Sequence, residues 1–74
     1  MNLIIHFNLE SGFEDEALSL ARRLFAQFDE AIDSLAMIPV TDEKLDLWLD
    51  GKLIRSLSTT GHLPRVSDVR DALR

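Results

Sequence analysis

The chain has 74 residues, with 13 Asp/Glu against 8 Lys/Arg for a formal net charge of −5, and 46% of its residues are hydrophobic. That length holds a single domain over residues 1–74 with one modest core. The absence of cysteine excludes disulfide staples, thiolate metal sites, iron–sulfur ligation and thiol redox chemistry, and the acidic balance opposes the basic footprint of a nucleic-acid binder.

Residues 2–8 are short, apolar and rich in β-branched types, and they precede a polar break. Leu3, Ile4, Ile5 and Phe7 leave little polar face, the pattern of a central strand. Ser11-Gly12-Phe13-Glu14 then fits an S-x-x-E capping box, in which Ser11 accepts from the Glu14 amide and the Glu14 carboxylate returns to Ser11. Glu14, Asp15 and Glu16 add negative charge where the helix dipole favours it. Phe13, Ala17, Leu20, Ala21, Leu24 and Phe28 follow at helical spacing.

Residues 33–40 read as a second strand, placed at a sheet edge because Pro39 has no ladder donor. Leu45, Leu47 and Leu49 alternate with Lys44, Asp46 and Trp48, and Asp50-Gly51 is the pair favoured by type I′ hairpin turns. Lys52 to Leu57 form the return strand. A two-residue loop then sets Trp48 opposite Leu53 and Asp46 opposite Arg55, an opposite-charge cross-strand pair. Ser58 to Leu63 is a polar connection, and Pro64 to Arg74 is a closing helix with Val66, Val69, Ala72 and Leu73 on its apolar side. The order is β-α-β-β-β-α, and its opening strand–helix–strand implies a right-handed parallel crossover.

The negative charge is concentrated. Residues 1–37 hold seven acids against Arg22 and Arg23, whereas residues 38–74 hold six acids and six bases. The first helix and the turn after it therefore present either a solvated face or a docking surface for a basic partner. The longest apolar run, Leu35 to Val40, falls far below the roughly 18 residues of a membrane span. No signal-peptide pattern precedes the first strand, so the expected location is cytoplasmic, with no membrane or nucleic-acid partner.

In the second half, Ile38-Pro39 is followed by Leu45-Asp46-Leu47-Trp48-Leu49-Asp50-Gly51-Lys52-Leu53-Ile54, then by Thr60-Gly61-His62-Leu63-Pro64 and a helix ending Ala72-Leu73-Arg74. This ordered combination resembles the selenoprotein W-like Rdx family over nearly the whole chain. The resemblance implies an α/β, thioredoxin-like fold, a four-stranded mixed sheet with two helices on one face. It also implies a Cys-x-x-Cys or Cys-x-x-selenocysteine motif directly after the first strand, followed by glycine and an aromatic residue. This chain has Asn8-Leu9-Glu10-Ser11 there, followed by Gly12 and Phe13. The frame is kept and both sulfur positions are lost. Neither an amide nor a hydroxyl can become the thiolate that a helix N-terminus stabilises, so the family's redox activity does not carry over.

Ser11 as a nucleophile would need a base, and only His6 or His62 could serve. The capping role already accounts for Ser11, and three carboxylates crowd the following turn against any developing oxyanion. The histidines have no recognised metal-ligand spacing, and the Glu14-Asp15-Glu16 run lacks the alternating ligands of a calcium loop. Gly12, Gly51 and Gly61 stand alone, so there is no phosphate loop. These readings give no catalytic residue, no metal site and no cofactor.

Trp48 is the only tryptophan, and strand alternation puts it opposite the Leu45, Leu47 and Leu49 face. Hairpin pairing adds Leu53 and Leu57 to its side, and the first strand adds Ile4 and His6. With both helices on the other side, as the resemblance implies, this face is uncovered, and contiguous apolar patches mark interfaces. The expectation is a redox-silent, non-enzymatic module that binds a protein partner, or forms a homodimer, through Ile4, His6, Trp48, Leu53 and Leu57 or through its acidic helix. The alternative is an accessory subunit of an oxidoreductase or other enzyme whose partner supplies the catalytic groups.

Overall fold

A computed structural model describes residues 1–10, 12–57 and 61–73. Strand β1 (Asn2–Asn8) leads into helix α1 (Phe13–Phe28) and a short 3-10 turn, followed by β2 (Ser34–Val40), β3 (Leu45–Leu49), β4 (Lys52–Ser56) and helix α2 (Val66–Ala72). The strands form one sheet in the order β2-β1-β3-β4. β1 runs parallel to β2 and antiparallel to β3, and β3 pairs antiparallel with β4. The mixed α/β architecture is the thioredoxin-like one. β1 is central, as its apolar composition requires, and Pro39 sits on the edge strand β2, where its missing donor breaks no second ladder.

One sheet face is the core. Leu3, Ile5 and Phe7 of β1 and Leu45, Leu47 and Leu49 of β3 are buried against Ala17, Leu20, Ala21 and Leu24 of α1 and Val69 of α2. The α1 stripe recurs every three or four residues, so its turns present one apolar side to the sheet. The closing helix is shorter than its apolar pattern suggested. Val69 is buried, but Leu73 lies 54% exposed beyond the last turn.

The β3–β4 hairpin turns on two residues with positive φ, Asp50 at 50° and Gly51 at 83°, the conformation that a type I′ turn demands. Asp50 also fastens the turn to β1: its Oδ1 accepts from the Asn2 amide at 2.8 Å and its own amide donates to the Asn2 carbonyl at 2.8 Å. A Cβ at Gly51 would meet nothing within 4 Å, so Gly51→Ala tests backbone strain alone. It should cost about 1 kcal/mol in urea unfolding; an unchanged midpoint would show that the turn relaxes freely.

Beyond the turn the register departs from simple alternation. Trp48 pairs with Leu53, but Leu47 pairs with Arg55 and Asp46 with Ser56, leaving Ile54 as the extra residue of a bulge. The expected Asp46–Arg55 pair is therefore not formed. The bulge turns Arg55 to the helical side, where its guanidinium donates to Asp68 Oδ1 at 2.8 Å, and it leaves Ser56 opposite Asp46. Asp68 also accepts from the Arg65 amide at 2.8 Å through Oδ2, so one carboxylate caps α2 and ties it to β4. Leu57 is moved as well. It packs against the core cluster rather than standing beside Trp48.

Candidate binding face

The sheet face away from the helices carries Ile4 and His6 of β1, Ala36 and Ile38 of β2, Trp48 of β3 and Leu53 of β4. Register places them as neighbours: Ile4 lies between Ala36 and Trp48, His6 between Ile38 and Asp46, and Trp48 between Ile4 and Leu53. Among the described residues no helix packs on this face. Leu53 is 41% and Ile38 40% exposed, while Ile4, His6 and Trp48 are half-buried by one another.

His6 and Trp48 are diagonal neighbours on adjacent strands, with ring centroids 5.9 Å apart and planes tilted by 54°. A tilted pair at this separation is a favourable aromatic contact and holds both rings against the sheet. Among the described residues the buried Trp48 Nε1–H finds no acceptor. One end of the patch is polar. Asp46 is 7% exposed and Ser56 5%, and the Ser56 hydroxyl donates to Asp46 Oδ1 at 2.6 Å. The bond ties β4 to β3 beyond the bulge, with both side chains withdrawn from solvent.

Of the residues expected on this face, Ile4, His6, Trp48 and Leu53 are brought together and Leu57 is not. Ala36 and Ile38 extend the patch to the far edge strand. Sequence alternation along β2 could have indicated them, since parallel pairing to β1 puts them level with Ile4 and His6.

The segment Asn8-Leu9-Glu10-Ser11 ends β1 and leads toward α1. Asn8 is buried, and its Nδ2 donates to the Thr41 carbonyl at 2.9 Å and the Val40 carbonyl at 3.3 Å, while its backbone amide donates to Lys44 at 3.1 Å. It fastens the end of β1 to the segment linking β2 and β3. Leu9 and Glu10 are exposed, and the Gly12 amide closes a turn onto the Leu9 carbonyl at 3.2 Å. The capping and nucleophile readings of Ser11 fall on a residue outside the described ones. The residue bordering α1 is Gly12, with φ 78° and ψ 13°, so the helix begins one position later than a Ser11 capping box requires.

The two histidines are not brought to one place. His6 stands against Trp48, whereas His62 lines a groove on the helical side with Glu16 and Arg23. Among the described residues, no three His, Asp or Glu side chains gather as a metal-binding group, and no helix is long and apolar enough to cross a membrane.

No protein-family model matches the chain, and no curated protein is significantly similar to it. Solved structures do share its architecture. The crystal structure of a selenoprotein W-related protein from Vibrio cholerae superposes with a TM-score of 0.87 at 21% identity, over 99% of this chain and 96% of that one. That of a Bordetella parapertussis protein superposes with a TM-score of 0.86 at 19% identity, over 96% and 95% of the two chains. The fold is thus that of the selenoprotein W-related protein along essentially the whole chain, here built without cysteine.

Proposed function

We propose that this chain is a redox-silent protein of the selenoprotein W-like kind that works as a non-catalytic binding module. It engages a protein partner or a second copy of itself through the helix-free face of its sheet. The observation that carries this reading is the patch of Ile4, His6, Ile38, Trp48 and Leu53, five contiguous side chains of which two are about 40% exposed. Burying a large apolar side chain is worth roughly 1.5–3 kcal/mol, so a face left half in water is a reserve of association energy. Tryptophan at the centre of such a patch is a favoured anchor.

The redox half of the proposal rests on chemistry. A disulfide exchange needs a thiolate to attack and a sulfur to be attacked, and this chain supplies neither. The position that would hold the first sulfur is spent on the Asn8 tie, which has a structural task of its own.

A second surface has an observation in its favour. Leu18 and Phe25 lie seven residues apart on α1 and are 45% and 51% exposed, with Glu14 and Asp15 in the helix's first turn. Exposed Arg22 lies between Leu18 and Phe25, so the stripe is apolar with acids at its start and one base within it, a second candidate surface for a protein partner, including an enzyme for which the chain is an accessory subunit that brings no catalytic group.

The test is sedimentation of the purified chain, together with affinity capture from native cells, for wild type and Leu53→Glu. Leu53 is exposed on the edge strand, so the substitution leaves the core untouched. Self-association or a captured partner that weakens at least tenfold in Leu53→Glu supports the sheet face. Association that is unchanged in Leu53→Glu but lost in Phe25→Glu moves the binding surface to α1.

A further inference from the structure

A groove of about 640 Å³ lies between α1 and the segment leading into α2. That volume lies within the range of small-molecule sites, roughly 300–1,000 Å³. Its apolar lining includes Leu20, Leu63 and Val66, and Leu63 is 40% exposed at its edge. Its charged lining is Arg23, Arg65 and Glu16, with His62 alongside.

That balance runs against the rest of the chain. A protein of net charge −5 places two arginines against one glutamate around this groove. The third arginine of this region, Arg55, is engaged by Asp68, but Arg23 and Arg65 have no ion-pair partner among the described residues. Guanidinium groups bordering an apolar trough recognise a carboxylate that carries a hydrocarbon body, because the fork of N–H donors matches the two carboxylate oxygens.

We propose that this groove binds a small amphiphilic carboxylate, with the hydrocarbon body on Leu20, Leu63 and Val66 and the headgroup between Arg23 and Arg65. Glu16 opposes the headgroup and sets a limit on affinity. The site lies on the helical side and shares no residue with the Trp48 face, so it stands or falls separately from the binding-module reading.

The experiment is an NMR titration of the ¹⁵N-labelled chain with decanoate below its micellar concentration, with decanol as the uncharged control. Amide shifts are expected at Gly61 to Ser67 and along Glu16 to Arg23. Arg23→Gln and Arg65→Gln should each weaken decanoate about three- to tenfold, the scale of one charge-assisted contact near a surface, and Glu16→Gln should tighten it about twofold or more. Decanol should bind more weakly than decanoate and ignore all three substitutions. Both arginines are exposed, so amide spectra of the variants should retain the wild-type dispersion. The proposal is overturned by decanoate shifts that map to the Trp48 face, by an affinity indifferent to the arginine substitutions, or by decanol binding as well as decanoate.

Discussion

Trp48→Asp is expected to weaken association through the sheet face by about thirtyfold or more, the scale of losing a central aromatic anchor worth at least 2 kcal/mol. The substitution removes the ring that packs on Ile4 and His6 and places a carboxylate among apolar groups and close to Asp46. Trp48 is half-buried, so the isolated domain also loses some packing, but the hydrophobic core lies on the opposite side of the sheet and is not touched. The variant should therefore stay folded by far-ultraviolet circular dichroism while its sedimentation coefficient falls to that of a monomer, or its captured partner is lost. Unfolding of Trp48→Asp together with unaltered association of Leu53→Glu would place the tryptophan in the structural framework and remove the sheet face from the binding account.

The second large effect concerns the lost redox motif. Asn8→Cys should lower stability by about 2 kcal/mol, because the Val40 and Thr41 carbonyls lose their donor at a site where Asn8 is 2% exposed. Urea unfolding with an unchanged slope would report the loss directly. Adding Ser11→Cys tests the frame itself: if these are the two motif positions, the double variant closes an intramolecular disulfide under mild oxidation and recovers part of the deficit. A double variant that remains reduced, or joins chains instead, would break the correspondence with the Cys-x-x-Cys frame. A fully stable Asn8→Cys would show that the amide tie is replaceable, and that the cysteine could have been lost without any structural compensation.

The candidate site was legible in the sequence to the extent that it follows from strand alternation. Ile4, His6, Trp48 and Leu53 share a face because side chains alternate along β1 and β3 and because Asp50-Gly51 sets Trp48 level with Leu53. The loss of alternation after Leu53 was not legible. A bulge at Ile54 is marked by no glycine or proline, and one extra residue is enough to exchange faces for everything beyond it. Arg55 was thereby delivered to Asp68, Ser56 to Asp46 and Leu57 to the core. The exposed pair Leu18 and Phe25 is not legible from periodicity for a different reason: it falls off the strong apolar stripe of α1, and two residues at seven-residue spacing make no pattern of their own.

What the sequence determined by itself is local and periodic. The central strand, the amphipathic helix, the proline-bearing edge and the type I′ turn each follow from steric preferences within a few residues, and the absence of thiol chemistry follows from composition. Only the tertiary structure decided which side of β4 faces the helices, because a bulge is fixed by the fit of two strands and a helix rather than by the chain that contains it. It also decided that Asn8, a residue polar enough to read as surface, is buried. Its amide finds two carbonyls from a segment more than thirty residues away, and no short-range pattern encodes a hydrogen bond at that separation.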